Sequence, residues 1–107
     1  MYLVKLDLSV SGLPASATRG CTRHVAKTFL AESPFIAIEK AQRLGDASRH
    51  VIAVDNLYNA VLNAILDDHV PATGDVVMTA RYTAIDCNSY KTVATYTRYF
   101  DFNDVRD

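Results

Sequence analysis

The sequence predicts an α+β domain: a four-stranded antiparallel sheet with two helices on one face, in the order ββααββ. Three observations lead there. Residues 2 to 10 alternate apolar and polar side chains, residues 33 to 45 carry the start and stop signals of a helix, and residues 76 to 102 hold two alternating runs split by the turn "DCNS".

The first strand places Tyr2, Val4, Leu6, Leu8 and Val10 on one side and Lys5, Asp7 and Ser9 on the other. "SGLPASATRG", dense in Gly, Pro and Ser, reads as a loop. From Cys21 to Ala31 the β-branched and aromatic content rises again, which predicts a second strand paired to the first, with neither of its faces purely apolar.

The first helix follows from Ser33 as N-cap, Pro34 at the first helical position and Gly45 just past the last turn. At 100° per residue Ala37, Ile38, Ala41 and Leu44 share an arc, whereas Glu39, Lys40 and Arg43 lie opposite with Ile36 stranded among them as an exposed apolar residue. Apolar side chains then recur at spacings of three and four from Ala47 to Ile65, predicting one long helix over 47–68 with Asp46 as its cap. The alternative makes "HVIAV", residues 50 to 54, a short strand, with Asp55 capping a shorter helix. "VPATGD" is a loop, and the last two strands are expected to run from Val76 to Ala84 and from Tyr90 to Phe102, followed by an acidic tail that frays.

Composition removes several function classes. The chain has 107 residues, half of them apolar, which is enough for one domain with a core of its own. Its 11 basic and 12 acidic side chains give a formal net charge of −1, so no global field draws in nucleic acid or an anionic membrane. Lys5 and Asp7 interrupt the first apolar run, which argues against an export signal, and no apolar run approaches the roughly 18 residues that cross a bilayer. Cys21 and Cys87 are too few for a disulfide framework, and a cytoplasmic setting is expected.

Chemistry-bearing clusters are sparse. Cys21 and His24 have the spacing of half a zinc site that Cys87 with His50 or His69 would have to complete, and thiols packed as small apolar groups are the simpler reading. Asp67, Asp68 and His69 close the second helix, where the macrodipole disfavours negative charge, so a basic partner surface or an ion is one reading and a solvated helix end the other. No nucleophile elbow and no glycine-rich phosphate loop occurs. The expectation is therefore a protein that is not an enzyme, with no cofactor and no metal.

Two surfaces remain as candidates. Along the second helix apolar residues span about 200°, twice the ~100° stripe needed to lie on a sheet. Its excess, Tyr58, Leu62 and Leu66, together with Ile36 and the acidic Asp67 and Asp68, is expected to meet a protein partner or a second copy of the chain. In the last hairpin, alternation sends Tyr82, Tyr90, Tyr96, Phe100 and Phe102 toward the helices and leaves Tyr99 outside, with Arg98 an oddity among the aromatics. The open face then shows Lys5, Arg23, Lys27, Arg81, Lys91 and Tyr99, a modest platform for single-stranded nucleic acid. The leading expectation is a small regulator or inhibitor acting by protein contacts on a host complex, of the kind phages and mobile elements use as accessory proteins; nucleic-acid binding is the alternative.

Overall fold

A computed structural model describes residues 1–12, 23–44, 49–66 and 76–102. The elements run β1 (Tyr2–Ser11), β2 (Arg23–Phe29), α1 (Pro34–Arg43), α2 (Arg49–Leu66), β3 (Val77–Asp86) and β4 (Thr92–Asp101). This is the expected ββααββ order. The sheet is antiparallel throughout, in the spatial order β2-β1-β3-β4. Because β2 and β3 both oppose β1, they run parallel to each other, and the two helices between them carry the chain across β1 on one face.

The period-2 pattern of β1 sets that face. Val4, Leu6 and Leu8 are fully buried, and the register aligns Leu6 with Tyr82 on β3 and Val25 on β2. Met78, Ala80, Tyr82 and Ala84 continue the same row across β3, and the buried sides of both helices close over it. A one-residue slip would turn this row to solvent, so the alternation fixes the register.

Helix α1 begins as its sequence signals require. The Ser33 hydroxyl accepts from the Ile36 N–H at 3.2 Å, Pro34 occupies the first turn, and the Leu44 N–H closes the last turn on the Lys40 carbonyl at 3.2 Å. Ala37, Ile38 and Ala41 are buried. These small residues let α1 lie close on the sheet, chiefly on β3. Leu44 differs from the expected arc: it is the C-cap and is exposed.

Residues 50–54 belong to α2, which favours the long-helix reading over a short strand. The register of such a segment is decided by what it covers: His50, Val54, Leu57, Val61, Ala64 and Ile65 form one buried stripe. The predicted ends at 47 and 68 lie outside the described residues, as do Cys21 and His69. β2 ends at Phe29 rather than Ala31; Leu30 is exposed and its carbonyl accepts from Lys40 Nζ at 2.8 Å.

The last hairpin departs most from expectation. Asp86 Oδ1 accepts from the N–H groups of Asn88 (2.7 Å) and Ser89 (3.3 Å), and Tyr90 takes a left-handed φ of 58° with its N–H on the Asp86 carbonyl at 2.8 Å. A register shift at Ala84/Ile85 adds one residue to the β4 side. Tyr90 therefore falls in the turn, exposed, instead of entering the core, and β4 begins at Thr92.

Candidate functional site

β4 is an outer strand of the sheet, and α1 does not cover it fully. The inner row of β4 consists of Ala94, Tyr96, Arg98 and Phe100, opposite Ala84, Tyr82, Ala80 and Met78. Sequence alternation assigned all of its rings to the core, but a helix centred on β3 leaves the far side of the next strand uncovered. Tyr96 stays 46% exposed, whereas its opposite number Tyr82 is 2% exposed; the two rings stack at 6.5 Å. Burial pushes the Tyr82 phenol above its ordinary value, so it stays neutral.

Between α1 and β4 this leaves a groove of about 430 Å³. Phe35, Glu39 and Gln42 of α1 line it on one side, and Tyr96 and Arg98 on the other, with Ile38 and Arg43 also lining it. Phe35 is 70% exposed in the first turn of α1. Arg98 resolves the oddity in the aromatic row: it sits beyond the helices, with its guanidinium 4.4 Å from the Phe100 ring centroid, a cation–π contact. Glu39 and Arg43 form an i,i+4 ion pair at 2.9 Å on the α1 wall. The lining offers apolar faces, guanidinium groups and one carboxylate, and none of its residues is a Ser, Cys or His.

The sequence-derived contact residues are dispersed. Ile36 is exposed on α1 as expected, and Leu66 is exposed in the last turn of α2. Tyr58 is half-buried because its ring packs against Phe102 at 5.0 Å and Phe100 at 6.0 Å, so it seals the core more than it faces outward. Leu62 is half-buried beside it on the helix wheel, and Asp67 and Asp68 lie outside the described residues. Phe35 and the exposure of Tyr96 were missed; the available signals were an aromatic directly after Ser-Pro and a charged residue inside an aromatic row.

The open face is less basic than expected. Lys27 pairs with fully buried Val4, so it stands on the helix side, its ammonium 5.7 Å from the Phe29 ring centroid; the backbone of Arg23 pairs with that of Leu8. The ambiguous alternation of β2 could not reveal this. Lys5, Arg81 and Tyr99 do share the open face, but Asp7 sits opposite Arg81 on one side and His24 on the other, with its Oδ1 2.5 Å from His24 Nδ1. Lys91 lies at the turn, where its carbonyl accepts from Asp86 N–H at 3.0 Å.

His24 and His50 are on opposite faces of the sheet, which separates two of the residues considered for a zinc site. His50 is fully buried, its ring 6.1 Å from Phe29 and 6.0 Å from Tyr82. Desolvation lowers its pKa below the ordinary 6.5, and nearby Lys27 adds to this; hydrogen bonds with the backbone of Val25 and Val4 oppose it. Among the described residues no group of three His, Cys, Asp or Glu side chains converges on a metal position, and no helix is long and apolar enough to cross a membrane. Comparison with known proteins finds no matching family model, no matching characterised protein and no matching solved structure.

Proposed function

We propose that this protein is a small non-enzymatic binding domain that modulates a partner protein by contact, and that the contact is made at the groove between α1 and β4. One observation carries the reading: an outer strand and a helix leave Phe35 and Tyr96 exposed over a 430 Å³ groove, beside a cation that lies on an aromatic ring. Exposed rings and Arg are the residue types that dominate protein interfaces. A strand edge adds backbone donors and acceptors, and helix-flanked edges are a recurring seat for an added strand.

The test is affinity capture from extract of the source cell, read by mass spectrometry with and without nuclease, for the wild type and for Phe35→Ala and Arg98→Glu. The reading expects a protein recovered equally in both conditions and lost, by tenfold or more, with either variant. A partner that disappears with nuclease, and is indifferent to both variants, would overturn it in favour of nucleic acid on the open face. In that case binding must also fall steeply with salt and depend on Lys5 and Arg81.

A further inference from the structure

We infer that β4 pairs antiparallel with β4 of a second copy of this chain, about a two-fold axis through Thr97, so that two sheets become one of eight strands and the two α1–β4 grooves become one trench. This deepens the reading above, because it names the first occupant of the same surface.

The first argument is what β4 lacks. Outer strands are normally blunted by Lys, Pro, a bulge in mid-strand, an inward-pointing charge or short length, and of these β4 has only Arg98 on its helix side, whose guanidinium lies on the Phe100 ring. The ten residues "TVATYTRYFD" contain no Lys, Pro or Gly, and the register irregularity lies at the turn end, leaving Ala94 to Asp101 in regular pairing with β3. β2, the other outer strand, is shorter at seven residues, carries Lys27, and has α2 packed on it.

The second argument is register. A two-fold axis normal to a sheet keeps each face on its own side, so residues that meet across it must have the same parity. For Thr92–Asp101 this leaves two registers that use nine of the ten residues, centred on Tyr96 or on Thr97. Centring on Arg98 sets the two guanidinium groups directly opposite each other, which like charge disfavours. Centring on Tyr96 places Arg98 opposite an alanine. Centring on Thr97 places each Arg98 opposite the other copy's Tyr96 on the helix side, and each Tyr99 opposite the other copy's Thr95 on the open side. Both faces then gain complementary pairs, cation on ring and ring on β-branched residue.

The third argument is what the pairing builds. Since α1 packs chiefly on β3, its mate across the axis would lie three strand spacings away, about 14 Å. Helices in contact pack at about 8–10 Å, so an open trench remains, floored by Tyr96 and Arg98 from both copies. One copy supplies a groove with a single helical wall, and the trench with a helix on each side exists only when the strands meet.

The experiment uses T97K and T97D, alone and mixed, with mass measured by sedimentation across a concentration series. The wild type is expected to be dimeric, each variant at least tenfold weaker in self-association, and the equimolar mixture to recover wild-type association as a T97K–T97D pair. A wild type that stays monomeric overturns the inference, as do variants that dimerise unchanged or a mixture that fails to recover. T97K stands opposite Arg81. Should circular dichroism show it unfolded, T97D alone decides: folded and monomeric supports the axis at Thr97, folded and dimeric contradicts it. Failure here is distinguishable from failure of the groove itself, because Phe35→Ala and Arg98→Glu would still lose a captured partner if the groove binds something other than a second copy.

Discussion

Phe35 and Ile38 are three residues apart on one helix and line one groove, yet they occupy opposite extremes of burial, 70% and 3% exposed. Truncating each to alanine separates the surface from the scaffold. Fully burying a phenylalanine is worth about 1.5–3 kcal/mol, and the three-tenths that Phe35 hides reduces this to about 0.5–0.9 kcal/mol. Alanine's better helix propensity returns up to about 0.5 kcal/mol of that. Ile38→Ala instead opens a cavity among Ala37, Ala41 and the sheet, a change that costs about 2–5 kcal/mol, against a total stability of about 5–15 kcal/mol. At roughly 4–8 °C per kcal/mol for a domain of this size, Phe35→Ala should lower Tm by no more than about 7 °C and Ile38→Ala by about 8 °C or more. Thermal and urea unfolding followed by circular dichroism reads the difference, and partner capture should be lost in Phe35→Ala while its fold persists. Equal destabilisation by the two substitutions would refute the assignment of Phe35 to a binding surface.

Three further outcomes are expected. His50 is held neutral by burial, so the unfolded chain takes up a proton near pH 6.5 that the folded chain refuses until lower pH; the stability this contributes is complete above about pH 6.5 and is lost as pH falls through the lowered value, at a slope of up to about 1.4 kcal/mol per pH unit. His50→Phe should remove that part of the slope, and an unchanged urea midpoint difference between pH 6.5 and 5 would contradict it. Ser33→Ala removes the hydroxyl that accepts from the Ile36 N–H and should cost about 1 kcal/mol in urea unfolding; no change would mean the cap is not formed. Tyr90 holds a left-handed φ of 58°, so Tyr90→Gly should raise stability by roughly 0.5–1 kcal/mol, and a loss of that size would show that its ring contributes contacts elsewhere.

Much of the architecture was legible because it rests on local signals. The alternation of β1, the Ser33–Pro34 start of α1 and the "DCNS" turn each express one elementary preference, and each stands in the structure. What was not legible depends on how far one element reaches over another. Tyr96, Phe100 and Phe102 share a parity, but only Phe102 is buried under Tyr58 while Tyr96 looks into a groove, since α1 is centred one strand inward. Lys27 could not be placed because β2 has no dominant face, and its row is fixed only by pairing with Val4. Tyr90 was misassigned because a single extra residue at Ala84/Ile85 shifts every position between it and the turn. Part of the wide apolar arc of α2 that the wheel treats as surplus turns inward, since Tyr58 packs on Phe100 and Phe102.

Amide hydrogen exchange across a concentration series tests the central claim most directly, since it reads backbone protection along both outer strands at once. Protection should rise with concentration over residues 92–101 and in the groove-lining turns of α1, while residues 23–29 of β2 stay as they are. Exchange in β4 that is indifferent to concentration and to added partner, or protection that grows on β2 instead, would contradict the assignment of the α1–β4 edge as the surface through which this protein acts.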